Sequence, residues 1–573
     1  MISETKICQN CKTNFTIEPE DFGFYERIGV QIPSFCPECQ LKHRMVWGIS
    51  FVLNKRKCDA PGHSEEIMSR FSDQCEVPVY DHRFWWSDKW DALSYGRDVD
   101  FSRPFLEQVR ELIKSVPIAN LLVVNSVNCD FCPSAADSKD CYLCIGAFFA
   151  QECMYSNTPA MCKKVVDSTI SLACDTLYEC YGCNKSFNLK YSVNSTDCLD
   201  SAFLYECRNC SDCFGCVGLR SKQYYIFNKP YTKQTYREEM KKINLGSRAV
   251  AKEYTKKFSE HILKYPRKFA DIKNSVNCTG HDISNAKNLR NCFGCCDDVE
   301  NCNYVVLAAR GLKDSHDTWG GGLKSQLLYN AGQCMFDQRV FCSAQIRNSH
   351  DVQYSTQCFG SSNLFGCAGL RDKQYAILNK IYSKENYEAM VQKIIENMKT
   401  MPYTDSRGMQ YTYGDFFPFD FSPWAYNESS LQEYFPISRE KAMSEKFVWH
   451  DRERKQYQPT MYHDQIPDDI TQVSESILQD ILECAHKGNC TQQCTGAFRI
   501  TPQEFQFYKQ QNIPIPDLCP GCRNAERSRW RLPYKLWHRS CMNSECENTF
   551  ETPYAPERPE IIYCGSCYLK EIL

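Results

Sequence analysis

Apolar positions through the middle of the chain come singly or in pairs, set apart by Asn, Asp and Ser, and no 3.6-residue period is held for long. Segments such as Cys141-Tyr142-Leu143-Cys144 and Ser201-Ala202-Phe203-Leu204 predict short strands joined at polar corners, not helices. A few stretches depart from this. Residues 102–116 carry Phe105, Val109, Leu112 and Ile113 on one side, with Pro104 in the first turn, and predict a helix that docks the N-terminal region on the central body. Residues 232–243 and 383–398 predict two flanking helices, the second striped by Tyr387, Met390, Val391, Ile394, Ile395 and Met398. Residues 471–485 predict a further amphipathic helix through Val473, Ile477, Leu478, Ile481 and Leu482. Between them, 400–470 is rich in aromatics and proline (Phe416, Phe417, Phe419, Phe421, Trp424) and reads as an extended arm.

Cysteines mark time through the centre. Cys132, Cys141, Cys153, Cys162, Cys174 and Cys183 alternate in steps of 9 and 12, giving two interleaved ladders of period 21. A fixed period near 20 residues signals a solenoid, here a β-solenoid with three short strands per coil. The solenoid is duplicated at an offset of 151: Phe214-Gly215-Cys216-Val217-Gly218-Leu219-Arg220 returns as Phe365-Gly366-Cys367-Ala368-Gly369-Leu370-Arg371. Most central cysteines read as small buried filling, because Cys153, Cys162, Cys210 and Cys213 become Tyr304, Lys313, Ser361 and Leu364 in the second copy. One group keeps donor chemistry. Cys129, Cys132, Cys141 and Cys144 correspond to Cys278, His281, Cys292 and Cys295, so each copy has a candidate metal site at its start.

The two ends repeat each other at an offset of 483. Cys11, Phe15, Phe24, Tyr25, Cys36, Cys39, Arg44 and Trp47 recur as Cys494, Phe498, Phe507, Tyr508, Cys519, Cys522, Arg527 and Trp530. A C-x2-C knuckle offers two thiolates from one tight turn, and two knuckles complete a tetrahedral zinc site. The expected zinc sets are Cys8, Cys11, Cys36, Cys39; Cys490, Cys494, Cys519, Cys522; and Cys541, Cys546, Cys564, Cys567. Three structural zinc ions are expected, rising to five or six with the weaker candidates. In the N-terminal counterpart of the last unit, Asp81 and Phe84 replace Cys564 and Cys567, leaving Cys58 and His63 with Cys75 and His82 as an improvised set.

At C-x2-C-x3-F, the Phe-Tyr pair, P-x2-C-P-x-C and the following arginine, residues 5–47 and 487–530 resemble the probable zinc-binding domain family of treble-clef type. That resemblance implies a short α+β module folded around zinc, with no assigned activity. The x3 spacing at Cys490 and the unmatched Cys484 depart from the pattern. The whole chain is also similar to long uncharacterised cysteine-rich microbial proteins.

The expected architecture is mainly β, with small α+β zinc modules, a duplicated β-solenoid and a few capping helices. Its parts are a zinc module (1–50), a degenerate second module (51–100), a docking helix (101–118), solenoid copy one (119–231), a basic helical insertion (232–273), copy two (274–382), a flanking helix (383–400), the arm and helix (401–486), a second zinc module (487–532) and a zinc ribbon (533–573).

Composition narrows the function. The chain has 573 residues, 38 cysteines, and 67 basic against 70 acidic side chains, a net charge of −3. Residues 1–8 lack an export signal and no apolar run spans a bilayer, so paired thiols predict a soluble, cytoplasmic metal-binding protein with no membrane partner. No H-E-x-x-H, G-x-S-x-G or phosphate-binding loop is present; Trp319-Gly320-Gly321-Gly322 reads as a flexible turn. A carbohydrate-active β-helix enzyme would use acids such as Asp297, Asp298 and Glu300, but runs of charge usually face solvent. Residues 220–273 hold 15 Lys or Arg against 5 Asp or Glu, interleaved with tyrosines. This is the pattern of a single-strand or RNA binder, with Lys233, Lys241, Lys242 and Lys257 as contacts. The expectation placed first is a non-catalytic scaffold for unidentified protein partners, and the nucleic-acid binder second.

Overall fold

The computed structural model describes residues 2–308, 310–451, 458–490 and 493–572; the part of the arm at 452–457 lies outside the described residues. The chain is mainly β, and its centre is two β-solenoids. Parallel pairing sets the coil length directly. Asn157 pairs with Thr169, Asp175 with Phe187, and Phe187 with Leu199, so a coil takes 12 residues, not 21.

Each coil is built from triplets. The first residue of a triplet donates its N–H eleven residues forward, as Gln151 does to Cys162 O at 2.9 Å. The second adopts a left-handed conformation, as in Glu152 (φ 53), Tyr155 (φ 53) and Lys164 (φ 52), and donates thirteen residues back, as Glu152 does to Lys139 O at 3.1 Å. The third points inward, where its N–H can reach the side chain one coil earlier: Ser168 N to Ser156 Oγ at 3.3 Å, Cys180 N to Ser168 Oγ at 3.2 Å, Cys174 N to Cys162 Sγ at 3.5 Å. Left-handed backbone is costly for most side chains. It is sustained here because most turned peptides gain a ladder bond and the small inward Ser or Cys satisfies a buried N–H.

Cysteine richness follows from this lumen. Every cysteine from Cys129 to Cys216 falls on the inward position, buried and packed with Ala, Val and Leu. Many thiols donate to a carbonyl nine residues on, as Cys132 does to Cys141 O and Cys174 to Cys183 O, both at 3.3 Å. The steps of 9 and 12 are therefore three and four triplets of one 12-residue coil, and the expected coil of three short strands is corrected to four three-residue sides. In the second copy three successive coils lengthen to 13 residues, through Phe293, Val306, Trp319 and Gly332, before the 12-residue pitch resumes. Trp319 and Gly321 lie on a strand, His316–Gly321, and Trp319 is buried, so this glycine run is part of a coil and not a flexible turn.

Both copies end alike. The strands Gln223–Ile226 and Gln374–Ile377 turn back antiparallel, and Asn228 and Asn379 cap the lumen with paired bonds to Val217 and Ala368. Helices Lys233–Met240 and Arg248–Ile262 follow the first copy, and Lys384–Thr400 follows the second. The helix Phe105–Ser115, with Pro104 as its N-cap, packs Phe105 on Phe365 of the second copy. The expected helix at 471–485 is absent. Two short 3-10 turns, Ile470–Gln472 and Glu475–Gln479, and the strand Leu482–Glu483 stand there, because that strand pairs with Ala497–Phe498 and buries Leu482 by extension.

The end cassettes dock crosswise. The N-terminal module sits on the second solenoid copy and the C-terminal module on the first. Tyr25 meets Tyr329 edge-on at 5.8 Å, and its equivalent Tyr508 meets Tyr178 at 5.9 Å. Each second unit extends the start of one copy: Val79–Tyr80 pairs with Ile118–Ala119, and Ile562–Tyr563 with Arg267–Lys268. The arm threads aromatic residues between the first module and the second copy, where Phe417 meets Trp47 at 5.2 Å and Tyr413 meets Tyr354 at 6.1 Å, and it reaches the degenerate unit, where Trp424 Nε1 donates to Arg70 O at 3.1 Å. It also reaches the C-terminal cassette, where Arg531 Nη2 donates to Glu433 at 2.5 Å. Among the described residues no helix is long and apolar enough to cross a membrane.

Candidate metal centres

All 38 cysteines are free thiols, and three groups of four converge at the ends of the chain. Each group is assembled by the same local structure. In the first, a hairpin of Glu4–Ile7 and Asn14–Ile17 carries Cys8 and Cys11 in its turn, while Cys36 caps the helix Pro37–Met45 and Cys39 lies in its first turn. Cys36 N–H donates to Cys8 Sγ at 3.3 Å, and Cys11 and Cys36 sulfurs stand 3.7 Å apart. The last group repeats this with hairpin Trp537–Ser540 and Thr549–Thr552 and helix Gly565–Ile572. There Cys564 N–H donates to Cys541 Sγ at 3.2 Å, and Cys546 and Cys564 are 3.7 Å apart.

The middle group differs from the expected set. Cys484, not Cys490, completes the foursome with Cys494, Cys519 and Cys522. Cys484 N–H bonds Gly496 O at 2.9 Å, as Cys8 N–H bonds Thr13 O at 2.9 Å, and Cys519 N–H donates to Cys484 Sγ at 3.3 Å, as Cys36 does to Cys8. Cys484 is thus the counterpart of Cys8, with a longer loop before Cys494. Cys490 sits beside this group, with His486 and Cys522.

Donor chemistry and spacing suit a tetrahedral ion. With metal–sulfur bonds near 2.3 Å, neighbouring sulfurs fall about 3.8 Å apart; the pairs Cys484–Cys522 and Cys494–Cys519 are both at 3.9 Å. Each group also favours at least one thiolate. Hydrogen bonding from Cys36 brings Cys39 down to about 5, and bonds from Cys484, Cys494 and Cys522 push Cys519 well below the usual thiol range. Burial raises Cys564, but bonds from Ser566, the Cys567 backbone and Asn548 outweigh it and bring it to about 5. Metal binding replaces the protons these thiols otherwise share.

The degenerate unit keeps the frame and loses donors. Asp81 N–H donates to Cys58 Sγ at 3.3 Å, matching the bond from Cys564 to Cys541. Cys58 and His63 come together with Glu65, whose carboxylate is 2.5 Å from His63 Nδ1. Cys75 instead donates to Val77 O, and His82 Nδ1 lies 3.8 Å from Asp81; neither belongs to the group.

The candidate sets at the solenoid starts are not among the donor groups that converge. No group of three donors among the described residues includes Cys129, Cys132, Cys141, Cys144, Cys278, His281, Cys292 or Cys295. Their thiols point into the lumen or donate to carbonyls, and His281 Nδ1 accepts the Asp271 N–H at 3.2 Å. The acids Asp297, Asp298 and Glu300 pair with Arg310 and Lys313.

Lys233, Lys241, Lys242 and Lys257 are exposed, with Lys242 paired to Glu239 and Lys257 to Glu253. The neighbouring rings are engaged in packing: Tyr236 is buried against Tyr224, and Tyr254 meets Phe214 at 5.0 Å. A cleft of about 490 Å³ lies between the two solenoid copies and the C-terminal cassette, lined by Tyr181, Tyr205, Arg267, His281, Trp530 and Tyr534 among others.

No protein-family model matches the chain, and no curated protein matches it. Among solved structures, a "putative acetyltransferase" from Desulfovibrio desulfuricans G20 aligns at 10% identity over 51% of this chain and 86% of its own, with a TM-score of 0.09. Agreement that weak carries no argument about fold or activity.

Proposed function

We propose that the protein is a non-catalytic, zinc-dependent scaffold, whose treble-clef and zinc-ribbon modules lock two β-solenoids into one rigid particle that presents its outer faces and central cleft to a protein partner. One observation carries this reading: each first module uses its own conserved-by-duplication face on the solenoids. Arg44 bonds Asn330 Oδ1 at 2.7 Å and Asp317 at 3.4 Å, and Arg527 bonds Asp167 Oδ1 at 3.0 Å, all of them buried. A four-thiolate zinc site has no position left for substrate or water, which suits a structural role. Reduced thiols on this scale suit a cytoplasmic setting.

The test is removal of metal from the purified protein. Chelation is expected to free both ends to proteolysis while residues 119–231 and 274–382 stay resistant; a chelator-insensitive digestion pattern would overturn the reading.

The exposed lysines of the insertion favour a second reading, binding of RNA or single-stranded nucleic acid. Anisotropy of labelled RNA across a salt series separates the two. Binding that weakens steeply with salt, and is lost on changing Lys233, Lys241, Lys242 and Lys257 to Glu, would move the basic segment to first place. No binding at low salt is the outcome the scaffold requires.

A further inference from the structure

We infer that the C-terminal cassette holds a second metal ion, bound by His486, Cys490 and Cys522, with Cys522 bridging it to the four-thiol site. The inference rests on the reading of that site as a metal centre.

The two cassettes differ at one place. Cys8 and Cys11 are separated by two residues, whereas their structural counterparts Cys484 and Cys494 are separated by nine. The extra residues bring two new donors, and both fold back onto the same sulfur. His486 Nδ1 lies 3.2 Å from Cys522 Sγ, and Cys490 Sγ lies 3.6 Å from it. Ligands on one tetrahedral ion stand about 3.5–3.8 Å apart when metal–nitrogen bonds are near 2.0 Å and metal–sulfur bonds near 2.3 Å. The three donors lie within 4.8 Å of one another. Nothing equivalent exists in the N-terminal cassette, where the residues between the knuckle cysteines are Gln9 and Asn10.

The loop is shaped for this placement. Lys487 N–H bonds Cys484 O at 2.7 Å and Asn489 N–H bonds His486 O at 2.8 Å. Lys487 (φ 50) and Gly488 (φ 76) turn the chain through left-handed conformations, which returns Cys490 to the side of Cys522. A thiolate has lone pairs for two ions, so Cys522 can complete its own tetrahedron and contribute to the neighbour. The second ion then has three protein donors, and its fourth position is open to water or an exogenous thiolate or carboxylate. His486 and Cys490 are only half-buried, which leaves that position reachable. The closed sites hold structural ions; this one is exchangeable.

The experiment counts metal. Full-length protein loaded with zinc, and separately with cobalt, is measured by elemental analysis and native mass spectrometry beside the double variant H486A/C490S and the variant C484S. The double variant is expected to lose one equivalent relative to wild type, with an unchanged melting temperature, because Cys484, Cys494, Cys519 and Cys522 remain. In wild type that equivalent should leave first when a weak chelator is added. An unchanged metal count in H486A/C490S would overturn the inference while leaving the closed site standing. Loss of the closed site in that variant, with C484S retaining full metal, would assign Cys490 to the foursome and also overturn it. Wild-type protein that binds no metal at all would sink the underlying reading instead.

Discussion

Arg527 on the C-terminal cassette donates to Asp167 Oδ1 at 3.0 Å across 360 residues of sequence, with both side chains buried. Arg523 bonds the other oxygen of the same carboxylate, and Tyr155 and Tyr508 donate to the neighbouring Glu504 at 2.9 and 2.7 Å. The N-terminal cassette has its own version, in which Asp21 receives Arg290 and Asn303 while Phe24 stacks on His316 at 3.7 Å. Asp167→Ala leaves two buried guanidinium groups short of their shared partner. It should destabilise the docked C-terminal cassette by roughly 3–5 kcal/mol. Denaturant unfolding should show an earlier first transition, and proteolysis should begin within 484–530; a coincident single transition at the wild-type midpoint would refute the clamp.

Cys39→Ser removes one donor from a closed foursome whose other members are Cys8, Cys11 and Cys36. The expected result is loss of one metal equivalent and early cleavage within residues 1–47, with the C-terminal cassette intact. Modules of this size have little apolar core of their own, so a bound metal would supply much of their folding energy. Elemental analysis with limited proteolysis reads both effects.

Ser355 tests the lumen ladder. It donates to Gln353 O at 2.9 Å, accepts from Cys367 N–H at 2.9 Å, and its own N–H reaches Ser343 Oγ at 3.0 Å. Ser355→Ala orphans the Cys367 N–H and should cost about 1–3 kcal/mol. Ser355→Cys should cost less, because a thiol already fills this role elsewhere: Cys132 and Cys162 accept the N–H of Cys144 and Cys174 one coil later. Thermal melts of the two variants should rank in that order.

Asp337 occupies an inward position that Ser186 fills in the other copy; Ser349 N–H bonds its Oδ1 at 2.8 Å as Cys198 N–H bonds Ser186 Oγ at 3.1 Å. Its second oxygen is buried without a hydrogen-bond partner. Burial pushes this carboxyl up to about 7. The folded protein therefore holds the proton more tightly than the unfolded chain, and stability falls as pH rises from about 4 through 7. Asp337→Ser should flatten that slope and gain roughly 1–3 kcal/mol above pH 7. Melting curves at pH 5 and pH 8 check the sign: the gain should be larger at the higher pH.

Much of this was legible in the residues themselves. The offsets of 483 and 151 exposed both duplications, and hairpin and helix knuckles placed Cys8, Cys11, Cys36 and Cys39, with Cys541, Cys546, Cys564 and Cys567, in their groups. The coil length was hidden because cysteine fills only some inward positions, so spacings of 9 and 12 sum to 21 while serine, alanine and valine occupy the rest. A scan of every third residue for Cys, Ser, Ala, Val and Leu would have found it. Cys484 was missed because its distance from Cys494 fits no short knuckle; only the backbone bonds to Gly496 and from Cys519 show its equivalence to Cys8. The crosswise docking was beyond reach, since Arg44 and Asp317 carry no local sign of each other.

That crossing sets an order on synthesis. Asp21 leaves the ribosome 269 residues ahead of Arg290, its partner on the second solenoid. At translation rates of about 5–20 residues per second, the N-terminal cassette waits roughly 15–55 s for a surface to bind. The C-terminal cassette meets a first solenoid that is already complete. A pseudo-symmetric particle is thus assembled asymmetrically, and its earliest-made face, with Asp21, Phe24 and Arg44 uncovered, is the one exposed to chaperones and to other nascent chains.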